Sequence, residues 1–412
     1  MGCAGLAPMK RPIYLDNHAT TPVDPRVLEA MLPTFSVDFG NPASPNHAYG
    51  WEAEERVQIA REQVAAVIGA EPEEIIFTSG ATESDNLAIR GTALAQRPRG
   101  SHIITAATEH RAVLDPCARL AREGFHVTVL PVQSGGLIDL AALEASITDE
   151  TTLISIMAAN NEIGVLQPLH EIGALARARG ALFHTDAVQA FGKVPLDVDA
   201  AKIDLLSISA HKVYGPKGVG ALYVRRRGPR VRLTPLIDGG GHERGLRSGT
   251  LNVSGIVGLG RAAELAAAEM DQESRRLRLL RDRLLGRLRE GLPEVHVNGT
   301  LDSRLPGNLN VSFGQLEGEA LLLALSDIAL STGSACTSAQ QEPSHVLKAL
   351  GLSEAMVKSS VRFGIGRFNT VEEIDFAASR VADEVRRLLA LSPLTAHRQA
   401  GLDSPAEDWP SR

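Results

Sequence analysis

Ser207-Ile208-Ser209-Ala210-His211-Lys212-Val213-Tyr214-Gly215-Pro216-Lys217-Gly218-Val219-Gly220 is the stretch on which the reading of this chain turns. An apolar run from Ile203 to Ile208 stops at Ser209, and His211 and Lys212 then precede a turn rich in glycine and proline. A strand delivers polar side chains to its carboxyl end in this way, and that is the edge where open α/β sheets hold ligands. The chain has only seven lysines, at positions 10, 193, 202, 212, 217, 348 and 358, so a lysine that forms a Schiff base has few candidates. A lysine at the start of a loop is ordinarily a solvated residue, and only its surroundings argue otherwise.

Outward from this stretch the same pattern repeats. Apolar runs predict strands at 75–77, 102–105, 126–132, 152–157, 182–184, 203–208 and 220–225, interleaved with helices at 51–68, 81–93, 110–122 and 169–179. Strand–helix alternation of this kind implies a mainly parallel sheet covered on both faces. Past Asn252 a helical tract rich in Ala, Leu, Glu and Arg runs to Arg289. Short strands at 295–297, 309–313 and 361–365 and helices at 317–326 and 371–391 follow, the pattern of a smaller α+β domain. The expected division is an N-terminal arm over 1–20 packing with the small domain, a large domain over 21–262, a small domain over 263–394, and a mobile tail over 395–412. Residues 1–8 are expected to be a disordered extension.

The 412 residues are 44% hydrophobic and 22% charged, enough for a large core and more than one domain. A net charge of −7 argues against general affinity for nucleic acid or an anionic membrane. No apolar run approaches the roughly 20 residues of a membrane span. Cysteines at 3, 117 and 336 make no disulfide framework, so the expected home is a reducing compartment, the cytoplasm. There is no Walker loop, no His-Glu-x-x-His and no paired Cys-x-x-Cys. Gly258-Leu259-Gly260-Arg261-Ala262-Ala263 fits a loose dinucleotide fingerprint, but it lies in a helical tract rather than after a strand and is set aside.

What remains are polar clusters at strand ends. Ser79-Gly80-Ala81-Thr82 opens a helix, where free N–H groups suit a phosphate, although an ordinary N-cap reads the same way. Asp186 ends a buried strand, a costly place for a carboxylate without a cationic partner, and Gln189 extends from the same segment. His110 heads a helix, as many structural histidines do. Taken together they meet the needs of pyridoxal phosphate. Its phosphate wants N–H and hydroxyl donors, its ring nitrogen an acid that keeps it protonated, and its aldehyde a lysine.

Longer motifs sharpen this reading. Tyr14-Leu15-Asp16 with Ala19-Thr20-Thr21-Pro22, Thr78 to Asn86, Asn160-Asn161-Glu162-Ile163-Gly164, Ser209-Ala210-His211-Lys212, Gly239 to Arg244, Arg247-Ser248-Gly249-Thr250 and Ser334-Ala335-Cys336-Thr337-Ser338 resemble the cysteine desulfurases of the housekeeping iron–sulfur-cluster type, within the class V aminotransferase fold. The resemblance runs from about Met9 to the tail. It implies an aminotransferase-like fold type I α/β large domain with a smaller α+β C-terminal domain. It also implies a pyridoxal 5'-phosphate enzyme that converts L-cysteine to L-alanine and passes the sulfur to an acceptor.

By the same resemblance Lys212 would carry the cofactor, Asp186 pair with the ring nitrogen, Gln189 with the phenolic oxygen, and His110 stack on the ring and move protons. Ala81, Thr82, Ser209 and His211 would hold the phosphate, with Thr250 reaching it from the other subunit of a homodimer. Asn161 and Arg362 would bind the substrate carboxylate. Cys336, in a small polar loop from Ser331 to Gln341, would be the nucleophile that keeps the sulfur as a persulfide; no intrinsic metal is expected, but Cys336 would ligate a nascent iron–sulfur cluster together with a scaffold protein. Leu391 to Leu394, Gly401, Asp403 and Trp409 resemble the segment that docks such a scaffold, and other sulfur-acceptor proteins are implied partners. Another class V enzyme, an aminotransferase or a selenocysteine lyase, is the alternative; Cys336 separates an aminotransferase from a desulfurase, since transamination has no need of it.

Overall fold

The computed structural model describes residues 11–314, 316, 318–332 and 343–391. The initial extension over 1–8, Cys336 and the tail over 395–412 lie outside the described residues.

Seven strands form one sheet, in the spatial order Ile75–Thr78, Gly220–Val224, Leu205–Ser209, Leu182–Asp186, Thr151–Ser155, His102–Ala106 and His126–Leu130. The last five are parallel to one another. Gly220–Val224 runs antiparallel to both its neighbours, so Ile75–Thr78 points the same way as those five. Thr78, Ala106, Asp186 and Ser209 therefore end at one edge of the sheet. Every residue of Thr151–Ser155, Leu182–Asp186 and Leu205–Ser209 is buried, which is why these segments read as continuous apolar runs rather than as alternation.

Predicted strand ends drift by one or two residues. Ile203, Ile156 and Met157 are buried beyond the paired residues, and the Ile156 N–H still donates to the His184 carbonyl at 3.1 Å, so burial and irregular hydrogen bonds continue past the regular ladder. The helix Leu140–Ser146, the strand Ile328–Ala329 and the helices His345–Ala349 and Glu354–Lys358 were not expected, being too short to show a period.

The helix Val253–Gly291 spans 39 residues and joins two cores. Ile256, Leu259, Ala263 and Ala266 pack into the core beneath the large sheet. Leu277, Leu280, Leu284 and Leu288 pack into a second core with the antiparallel sheet Ser360–Gly364, Asn308–Ser312 and His296–Val297 and the helix Val371–Leu391. Gly258 and Gly260 serve that packing. A Cβ on Gly260 would sit 2.6 Å from Ala60 Cα, and one on Gly258 2.6 Å from Met31 Sδ. Close helix approach thus accounts for the glycines that mimic a dinucleotide fingerprint.

The N-terminal segment crosses between the two units. Ile13–Tyr14 pairs in parallel with Ile328–Ala329, and Leu15 is buried in the second core. Thr21 then returns to the large sheet, where its N–H and hydroxyl both donate to the His211 carbonyl at 2.9 and 3.0 Å.

Candidate active site

The strand ends open onto one cavity of about 590 Å³. Nine of the predicted residues line it: Ala81, Thr82, His110, Asn161, Asp186, Gln189, Ser209, His211 and Lys212. Thr250 is not among them; it is exposed in the segment that precedes the helix Val253–Gly291. Arg362 is fully buried one layer behind Asn161.

Lys212 closes the 3₁₀ turn Ala210–Lys212 that follows strand Leu205–Ser209. Its Nζ donates to the carbonyls of His18 and Ala19, 2.7 Å from each. The Ala19-Thr20-Thr21-Pro22 segment therefore frames the lysine, and its polar residues clamp the turn: Tyr214 N–H donates to Thr21 Oγ1 at 2.9 Å, and His211 Nδ1 lies 3.1 Å from Thr20 Oγ1.

Asp186 ends its strand at the cavity wall. Burial raises its pKa, and the Val188 N–H, which donates to it at 2.9 Å, opposes that shift, as do the neighbouring His110 and the Lys212 ammonium. Asp85, at the same cavity, is fully buried with His184 Nε2 3.6 Å from its Oδ1. Burial, and then the charge of Asp186, raise the Asp85 pKa far above the usual carboxylate range, so Asp85 is held neutral. That leaves Asp186 as the acid best placed to meet a cationic ring.

His110 is the N-cap of helix Arg111–Arg122, and its Nδ1 accepts the Ala112 N–H at 3.1 Å. Burial lowers its pKa, so the ring is neutral with its proton on Nε2. His211 is also neutral, pushed down to about 4 by burial and then by Lys212.

Helix Ala81–Gln96 starts at Gly80, with no side-chain cap on its first N–H groups. Gly80 has φ 148, and a Cβ on the facing Gly220 would lie 2.7 Å from Gly80 Cα, so both positions require glycine. An uncapped helix start and a buried carboxylate lining one cavity fit the phosphate and the ring nitrogen of pyridoxal phosphate, with Lys212 at the same cavity for its aldehyde.

Arg362 Nη2 donates to Asp16 Oδ1 at 2.8 Å and Nη1 to the Asn161 carbonyl at 3.0 Å. Ser331 Oγ donates to Asp16 Oδ2 at 2.8 Å, and Ser344 Oγ to Glu162 Oε2 at 2.5 Å. The described residues on either side of the Cys336 segment are thus anchored beside Asp16 and beside Asn161. Sequence reasoning missed Asp85 and Lys217, which also line the cavity; both stood inside motifs already quoted, but lacked a signal of their own.

Glu162 offers a test of this burial. Its carboxyl is pushed up to about 7 by burial, with Ser344 and Arg362 opposing. An unfolded chain releases that proton near 4.5, so wild-type stability falls as pH rises from there to about 7. Glu162→Gln has no proton to lose. Its stability relative to wild type should rise by about 3 kcal/mol across that window and stay level above it, as read from urea unfolding. A flat difference would contradict a protonated Glu162.

The model of the class-V aminotransferase family matches residues 13–376. The chain is 57% identical over 401 residues to the cysteine desulfurase IscS of Anaeromyxobacter dehalogenans (strain 2CP-C), covering 97% of this chain and 99% of that one. It is 59% identical over 399 residues to the mitochondrial cysteine desulfurase of Drosophila melanogaster, covering 97% and 86%. Among solved structures, a NifS-like protein superposes with a TM-score of 0.85 at 40% identity, covering 92% of this chain and all of that one.

Proposed function

The chain belongs to the class-V aminotransferase family and is a pyridoxal-phosphate-dependent cysteine desulfurase, and from that premise we propose how its residues divide the work. The observation that carries the reading is the single cavity shared by Lys212, Asp186 and the uncapped start of helix Ala81–Gln96. When bound, pyridoxal phosphate draws electrons from the substrate's α-carbon, which makes the α-proton and then the Cβ–S bond labile.

Lys212 would anchor the cofactor covalently, and its amine, which lines the cavity, is placed to take the α-proton. Asp186 supports positive charge on the ring nitrogen, and Gln189 meets the phenolic oxygen. The N–H groups of Ala81 and Thr82, with the Thr82, Ser209 and His211 side chains, hold the phosphate. His110 holds its proton on Nε2 and exchanges it with the substrate sulfur. Arg362, already pointing at the Asn161 backbone, and Asn161 bind the substrate carboxylate, for which the guanidinium fork is suited. The Cys336 thiolate attacks the substrate sulfur: an S–S bond forms, the Cβ–S bond breaks, and its electron pair remains on carbon to be protonated as alanine is completed. The persulfide is then the form passed to an iron–sulfur scaffold and to other sulfur acceptors. A reaction needing a free thiol fits a reducing compartment such as the cytoplasm. No helix among the described residues is long and apolar enough to cross a membrane. Purified protein given L-cysteine should release alanine; production of pyruvate in its place would contradict this assignment.

The active unit is a homodimer. Support comes from an apolar surface between positions 28 and 51, where Leu28, Leu32, Phe35, Val37, Phe39, Tyr49 and Trp51 are 48–66% exposed. The Phe39 and Tyr49 rings meet tilted with centroids 5.3 Å apart, and Thr34 Oγ1 lies 2.7 Å from Ser254 Oγ, which ties this surface to the segment bearing the exposed Thr250. Patches of this extent mark interfaces. Leu32→Asp with Phe35→Asp should yield monomers in sedimentation and weaken pyridoxal-phosphate binding, because Thr250 would then reach no phosphate. A double variant that remains dimeric and fully loaded would count against this interface.

A further inference from the structure

Lys193 stands outside the cofactor cavity, behind Gln189. Its Nζ donates to Gln189 Oε1 at 3.2 Å, and His18 Nδ1 lies 3.1 Å from the same oxygen. Gln189 Nε2 donates to the His18 carbonyl at 2.9 Å, the carbonyl that also accepts from Lys212. A carboxamide oxygen has two lone pairs and its nitrogen two hydrogens. Lys193 and His18 fill the oxygen, and the His18 carbonyl takes one hydrogen, so one Nε2 hydrogen is left on a side chain that lines the cavity.

The two ends of a carboxamide have nearly the same shape, so something must choose between them. His18 does not choose, because a neutral imidazole donates or accepts at Nδ1 according to its tautomer. Its Nε2 is buried with no hydrogen-bond partner among the described residues, which fits a bare lone pair there and the proton on Nδ1. Lys193 does choose. An ammonium has donors only, and a flipped Gln189 would turn N–H against N–H. Burial and the charge of Lys212 lower the Lys193 pKa to about 7, with Glu273 opposing, so its charged, donor-only form prevails below neutrality.

We infer that Lys193 is a positioning residue for the cofactor, locking the Gln189 carboxamide with Oε1 away from the cavity and one Nε2 hydrogen presented to it. The inference rests on the reading that Gln189 meets the phenolic oxygen of pyridoxal phosphate.

The test uses apoenzyme titrated with pyridoxal phosphate at slightly acid pH, reading the visible absorption maximum and the dissociation constant. Lys193→Met should shift the maximum and weaken binding by about tenfold, as Gln189→Leu should. The double variant should be no worse than Gln189→Leu alone, because both changes remove one hydrogen bond. If Gln189→Leu keeps the wild-type spectrum, the reading of Gln189 fails and the inference with it. If Gln189→Leu shifts the spectrum but Lys193→Met does not, or the two losses add, Lys193 does not act through Gln189 and the inference alone is overturned. Should Lys193→Met fail to fold, Gln189→Glu reads the same lock from the other side. A carboxylate keeps its acceptors toward Lys193 and His18 but offers the cavity no hydrogen, and it should give the Gln189→Leu spectrum. A wild-type spectrum there overturns the inference.

Discussion

Lys212→Ala should abolish alanine formation from L-cysteine, a loss of roughly 10³-fold or more, because one side chain both anchors the cofactor and moves the α-proton. The variant should still bind pyridoxal phosphate. The helix start at Gly80, Asp186 and Gln189 all remain, and only the covalent link is lost. Borohydride treatment separates the two contributions: it should fix the cofactor to the Lys212 peptide in wild type and to nothing in the variant. Lys217 also lines the cavity, but it is exposed beyond the Gly215-Pro216 turn, whereas the Lys212 ammonium is held by two backbone carbonyls at 2.7 Å. Those carbonyls lose a charged donor in the variant, at a cost of about 1–3 kcal/mol in stability, too little to unfold a core of this size. Cofactor fixed instead to Lys217, with activity retained, would remove Lys212 from its role.

Cys336→Ser is expected to act on the other half of the reaction. Cofactor loading and its visible spectrum should match wild type, while sulfide released by a reductant after addition of L-cysteine falls by roughly 10³-fold or more. A serine hydroxyl ionises far above neutral pH, whereas a thiol needs only a modest local shift to be present as the nucleophile. The hydroxyl also offers no sulfur on which a persulfide can form. The two variants therefore fail in opposite ways, Lys212→Ala with an altered spectrum and Cys336→Ser with an intact one. Full sulfide release by Cys336→Ser would end the persulfide mechanism.

Where chemistry sits at the end of a local apolar run, it was legible in the sequence. Asp186 ends, and Lys212 follows, a strand whose residues are all buried, and Gly80 opens a helix just after another, so strand, stop and polar residue lie within a few positions. Contacts between distant segments carried no such signal. Arg362 and Asp16 are 346 residues apart and pair at 2.8 Å, and Gln189 meets His18 across 171 residues. Nothing in the local pattern of Ala19-Thr20-Thr21-Pro22 announces that its backbone brackets a lysine in the middle of the chain. Lys193 was one lysine among seven; only the fold puts its amine against Gln189. Asp85 was hidden differently, since a carboxylate on a helix ordinarily faces water and this one is fully buried.

The central claim is that sulfur leaves L-cysteine in the Lys212 cavity and arrives on Cys336. The most direct measurement is the mass of the peptide bearing Cys336 after a single turnover, with enzyme in excess over L-cysteine and thiols trapped by alkylation. One added sulfur atom on Cys336, in proportion to the alanine formed and absent from Lys212→Ala, is the predicted result. Alanine formed in full while the Cys336 peptide keeps its original mass would contradict the account.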